Sequence, residues 1–80
     1  MTELSRSFGN AVRQVREERG WSQERLAEHA DLNRSYVGAL ERGRAMPSLA
    51  TLTKLAAALG LQPSALVARF ETAGTGQART

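Results

Sequence analysis

Eighty residues make one domain, and so short a chain buries a modest share of its surface, leaving its stability marginal unless something such as self-association adds to the core. The lack of cysteine excludes disulfides and thiolate metal sites, and no metal or cofactor is expected. A net charge of +3, a pI near 10.6 and ten arginines against one lysine fit a polyanionic partner, although high genomic GC content would give the same arginine bias.

The first residues have no apolar core of a signal peptide, and the longest apolar run, Leu55 to Leu61, is far too short to span a bilayer. A soluble cytoplasmic protein with no membrane partner is therefore expected. Hydrophobic residues make up 41% of the chain, mainly Leu, Ala and Val with little β-branched or aromatic clustering, which favours an all-α domain.

Residues 1–6 are expected to fray. Phe8, Ala11, Val12 and Val15 then recur at helical spacing up to a stop at Gly20, predicting a first helix over 7–19. Arg16 lies one turn after Val12, close to that apolar stripe, and needs a partner if covered. Ser22 is a good N-cap for a second helix of about eight residues, with Leu26, Ala27 and Ala30 inward and Gln23 at its start beside free backbone donors. The turn Ala30-Asp31-Leu32-Asn33 swings the chain sharply, with Leu32 as its anchor. Beyond Gly43, Arg44-Ala45-Met46-Pro47 reads as a loop, and Ser48 caps a fourth helix on which Leu49, Leu52, Leu55, Ala56 and Leu59 form the strongest amphipathic signal. Pro63 suits a first helical position, Ser64 to Glu71 read as a fifth helix, and Thr72 to Thr80 read as a disordered tail. One domain over 7–71 accounts for the chain.

The stretch from Asn33 to Gly43 holds the third helix, capped by Asn33 and closed by Gly43. Val37 and Leu40 can share an inward face, leaving Arg34, Ser35, Gly38 and Ala39 largely on the other side. A long bidentate donor, a small hydroxyl and two very small residues suit a DNA major groove, where an arginine fork matches guanine O6 and N7. A solvated helix carrying a stray arginine fits the same residues.

From Phe8 to Phe70 the chain resembles the Cro/C1-type helix-turn-helix family, also called the Xre family. The resemblance rests on Val15-Arg16-x3-Gly20-Trp21-Ser22-Gln23-x2-Leu26-Ala27, on Asn33-Arg34-Ser35-Tyr36-Val37-x2-Leu40-Glu41-Arg42-Gly43, and on Pro47-Ser48-Leu49-x2-Leu52-x2-Leu55-Ala56-x2-Leu59-Gly60. It implies five helices, with the third lying in the major groove of an operator duplex. By the same resemblance Arg34, Ser35 and Tyr36 are base or flanking contacts, while Gln23, Asn33, Arg42 and Arg44 approach the DNA backbone. Gln23 can also brace the recognition helix. Ala39 departs from relatives with a long polar residue there, so DNA shape would carry part of the specificity. The resemblance further implies an Arg16–Glu41 ion pair tying the first helix to the third.

Chain length and the run Asn-Arg-Ser-Tyr-Val-Gly-x-Leu-Glu-Arg-Gly look most like the controller proteins of restriction-modification systems, which act as homodimers and regulate their own gene. Leu61, Leu66, Val67 and Phe70 are the expected dimer surface, though any one of them could be core. An antitoxin of the same fold, binding a protein partner as well as its operator, is the alternative. An enzyme is not expected: the lone His29 has no serine or cysteine partner of defined spacing, and Glu17, Glu18, Glu24 and Glu28 read as solvated helix residues.

Overall fold

The computed structural model describes residues 2–74, with side chains as far as Arg69. Five helices follow one another: α1 Glu3–Glu18, α2 Gln23–Ala30, α3 Arg34–Glu41, α4 Leu49–Ala58 and α5 Pro63–Gly74. The first four each begin on a short polar side chain, Thr2, Ser22, Asn33 or Ser48, whose oxygen accepts a backbone amide of the first turn. Pro63 opens α5, where its missing N–H would have had no helical acceptor anyway.

The first four helices also end alike. The chain leaves α1, α3 and α4 through left-handed Gly20, Gly43 and Gly60, and leaves α2 through Asp31 at φ 56°. In each case the next amide donates back into the last turn, Trp21 to Arg16, Leu32 to Ala27, Arg44 to Ala39 and Leu61 to Ala56, so the terminal carbonyls are satisfied. These sharp stops fold the helices onto one core of Phe8, Val12, Val15, Leu26, Ala27, Ala30, Val37, Leu40, Leu55, Ala56, Leu59 and Leu66. There α1 lies against α3 and α5, α2 against α3 and α4, and α4 against α5. Leu32 packs on the edge of that core from the turn between α2 and α3, as expected of an anchor.

Four expectations need correction. The fraying expected of residues 1–6 is not seen from Thr2 onward: α1 starts at Glu3, because Thr2 and Ser5 cap each other's backbone and Ser5 is buried. The fifth helix continues to Gly74, so residues 72–74 are helical where a disordered tail was expected, since no residue before Gly74 breaks the helix. The rest of that tail, 75–80, lies outside the described residues. Leu49 is 82% exposed although it continues the α4 stripe, whose packing on the core runs through Leu52, Leu55 and Leu59. Leu66, expected at a dimer surface, is fully buried inside the chain's own core. Leu61 and Val67 remain half-buried at the surface, and the side chain of Phe70 lies outside the described residues.

Candidate nucleic-acid interface

α2 and α3 form a helix-turn-helix, and α3 is held from behind by charge. The Arg16 guanidinium donates side-on to both oxygens of Glu41, from Nε to Oε2 at 2.7 Å and from Nη2 to Oε1 at 2.9 Å. Its remaining nitrogen, Nη1, donates to the Trp21 carbonyl at 2.7 Å. Gln23 completes the set, donating from Nε2 to Glu41 Oε1 at 3.0 Å. The side chains of Arg16 and Glu41 are only 11% and 3% exposed, so the pair stands in a setting where a bidentate fork is needed to offset desolvation. Hydrogen bonding to Glu41 raises the Arg16 pKa above its already high value, against burial, which lowers it. The carboxylate thus joins the last residue of α3 to α1 and to the first residue of α2.

A second fixture sits higher on the same helix. Gly9 of α1 passes so close to the end of α3 that a Cβ there would stand 2.3 Å from the Leu40 carbonyl oxygen and 2.7 Å from that of Glu41. Gly38, expected on the open face, is instead buried. A Cβ on it would lie 3.1 Å from Arg42 Nη1 and 3.5 Å from Gln23 Oε1, so the small residue makes room for the first side chain of α2 and for an arginine folded back along the helix. Ala39 is half-buried rather than fully outward.

What remains outward is the first turn of α3. Arg34 and Ser35 are exposed and Tyr36 is half-buried, its ring packed on the edge of the core. Asn33 is exposed and spends its side-chain oxygen on the Ser35 amide at 2.7 Å, leaving its NH2 outward. Gln23 is half-buried, with one hydrogen of its NH2 committed to Glu41. Arg42 and Arg44 flank Gly43 and are both exposed.

Charge partners separate these arginines from the others. Arg6, Arg13, Lys54 and Arg69 each lie within 4.0 Å of a carboxylate, those of Glu3, Glu17, Asp31 and Glu18. Arg19 donates to the Leu59 carbonyl, and Arg25 lies over the Trp21 ring, 5.9 Å from its centroid. Among the described residues no carboxylate comes within ion-pair distance of Arg34, Arg42 or Arg44. The sequence contains the reason: between Asp31 and Glu71 the sole acidic residue is Glu41, and Arg16 occupies it. A surface of small side chains and uncompensated guanidinium groups can take a polyanion without first breaking ion pairs of its own.

The expected Arg16–Glu41 contact is thus present with the geometry given above, and Gln23 braces α3 through it. His29 is exposed, yet stacks on Trp21 with ring centroids 4.4 Å apart. Sequence reasoning missed Ser5, Gly9 and the burial of Gly38. Gly9 carried a signal, since a glycine inside an otherwise apolar-periodic helix is unfavourable by about 1 kcal/mol against alanine and implies a close approach.

An all-helical domain in which α2 and α3 are tied together by a buried carboxylate, with the first turn of α3 left exposed, defines a helix-turn-helix protein. Comparison with known proteins makes the assignment specific: residues 12–66 match the helix-turn-helix family, and the chain belongs to it, in the Cro/C1 or Xre branch that the sequence resembles. It is 49% identical over 61 residues to the immunity repressor protein of Bacillus phage phi105, covering 76% of this chain and 42% of that protein. Against control protein C.BamHI of Bacillus amyloliquefaciens it is 44% identical over 68 residues, covering 84% of this chain and 83% of that one. The chain therefore spans about two-fifths of the phage repressor but most of the control protein. The crystal structure of the restriction-modification controller protein C.AhdI from Aeromonas hydrophila matches with a TM-score of 0.76 at 45% identity, covering 78% of this chain and 94% of that chain. The chain is thus a helix-turn-helix family member that is similar, over most of their length, to control proteins of restriction-modification systems. No described helix is long and apolar enough to cross a membrane.

Proposed function

We propose that this protein binds an operator duplex as a homodimer and regulates its own gene together with the genes of a restriction-modification system. The observation that carries the reading is the set of exposed arginines, Arg34, Arg42 and Arg44, without counter-charge among the described residues, around a recognition helix whose back is locked. Arg34 and Ser35 enter the major groove and meet base edges, with Tyr36 beside them. Asn33, Arg42, Arg44 and the free N–H of Gln23 take backbone phosphates, which set register rather than sequence. Similarity over most of the length of control protein C.BamHI and of C.AhdI supports the controller role.

One α3 reads few base pairs, so specificity requires two copies with recognition helices about 34 Å apart across a two-fold axis. Leu61 and Val67, both half-buried, supply the contact. Footprinting on the region upstream of the protein's own gene tests the reading, with sedimentation at micromolar concentration in parallel. A protected site of two-fold symmetry bound by a dimer is expected. A protein that ignores this duplex at low ionic strength, or that stays monomeric on it, sinks the proposal.

A further inference from the structure

We infer that the DNA-binding surface extends beyond the helix-turn-helix onto the first turn of α1, where Arg6 is an additional backbone-phosphate contact beside Arg44. The inference rests on the operator-binding reading above and concerns a residue outside the 12–66 segment that matches the family.

Three observations place Arg6 there. The Ser5 hydroxyl is buried and donates to the Gly43 carbonyl at 2.9 Å, which pins the start of α1 to the loop that follows α3. Gly43 sits at φ +77°, and a Cβ on it would stand 2.7 Å from Arg6 Cγ and 3.0 Å from Arg6 Cα. The backbone of Arg6 therefore lies directly against the residue that separates Arg42 from Arg44. The Arg6 side chain is nonetheless 61% exposed.

The counter-charge on Arg6 is weak. Glu3, three residues earlier on the same helix, approaches only to 4.0 Å and is 72% exposed, a type of contact that holds a guanidinium loosely against water and salt. A phosphate offers a better partner for the same fork. Arg6 thus lies against the loop that carries Arg44, and Thr2, Ser5, Gly43, Arg44, Ala45 and Met46 line a shallow depression beside Gly43. Ser5 is the positioning residue here and Arg6 the contact.

Salt dependence separates a phosphate contact from a structural residue. Binding of the wild type, Arg6→Gln and Arg6→Lys is measured between 50 and 200 mM salt on the protein's own upstream duplex and on a random duplex of equal length, with thermal melting of each variant. Losing one phosphate contact lowers the slope of log K against log salt by about 0.9 per bound protomer, about 1.8 for a dimer, so dimeric Arg6→Gln should lose about 12-fold less affinity than the wild type over that range. The loss of slope is expected equally on both duplexes, leaving the ratio between them unchanged, and Arg6→Lys should keep the wild-type slope. A wild-type slope for Arg6→Gln, on a duplex the wild type binds, overturns the inference whatever its melting temperature. A reduced slope in both Arg6→Gln and Arg6→Lys also overturns it, because charge alone should suffice. A wild type that binds neither duplex sinks the operator reading instead.

Discussion

The two faces of α3 put arginine to opposite uses. At the back, each nitrogen of the Arg16 guanidinium has a partner: two bond to Glu41, the third to the Trp21 carbonyl. At the front, Arg34, Arg42 and Arg44 are exposed and face no carboxylate among the described residues. The side chain is the same, so its role is set by what faces it. A guanidinium met by a buried carboxylate fixes the angle between helices, and one left bare is available to a partner. The difference also divides the consequences of mutation: damage at the back should appear as lost stability, damage at the front as lost affinity in a protein that melts normally.

The sharpest way to break that division is at Glu41. Removing it strands Arg16 in a nearly closed site and orphans the Gln23 amide, so Glu41→Ala should lose on the order of 3 to 5 kcal/mol of stability in denaturant unfolding. A loss no larger than that of an exposed glutamate would remove the pair from the account. Arg16 adds no pH dependence in the accessible range. Its folded pKa lies above the unfolded value, so its stabilising effect is complete below the unfolded pKa and fades only as pH rises through the folded one, in strong alkali.

Gly9 tests the same face without touching charge. In Gly9→Ala the new methyl meets backbone carbonyls of Leu40 and Glu41, which cannot swing aside as a side chain can. Moving α1 away from α3 should lower stability by about 1 to 3 kcal/mol, or more if the Arg16 fork is pulled off Glu41. Gly9→Ala melting like the wild type would show that the two helices are not held at this spacing.

The front face answers to a different measurement. Arg34→Ala should leave the melting transition in place and weaken binding to the specific operator by about 1 to 3 kcal/mol per half-site, with a much smaller effect on random DNA. Equal losses on both duplexes would make Arg34 a phosphate contact and return base reading to DNA shape.

How much of this was legible in the sequence follows the range of the forces involved. Caps, the Pro63 start and the three glycine stops are local, and Ser22, Asn33, Ser48 and Gly43 revealed them directly. The ion pair spans 25 residues and came from resemblance, since the position of Arg16 beside the stripe showed a need for a partner but not which one. Contacts between distant segments with no periodic signature stayed hidden: Ser5 on Gly43, Gly9 under Leu40 and Gly38 under Arg42. Leu49 and Leu66 illustrate the converse. Periodicity says which side of a helix is apolar but not how far the neighbouring core extends along it, so one stripe residue is left in solvent and one supposed surface residue is enclosed.

The smallest expected effect lies at the joint between the two helices of the motif. Of the four left-handed stops, three are glycines, and Asp31 alone carries a side chain, one that is 97% exposed and approaches Lys54 only to 4.0 Å. Asp31→Gly relieves the left-handed strain, which aspartate tolerates better than most residues, but enlarges the conformational freedom of the unfolded chain by about 0.4 to 1 kcal/mol. The two effects oppose each other, so the melting temperature should change by no more than the equivalent of about 0.5 kcal/mol, a few degrees in a domain of this size. Asp31→Ala keeps the strain and loses the short polar side chain that eases it, and should fall below both by about 1 kcal/mol. DNA affinity should be the same in all three, because the turn keeps its backbone hydrogen bonds from Asp31 to Glu28 and from Leu32 to Ala27. An affinity change in Asp31→Gly without a change in melting would mean that the carboxylate acts on the DNA side of the molecule, and the boundary between back and front would have to be redrawn through this turn.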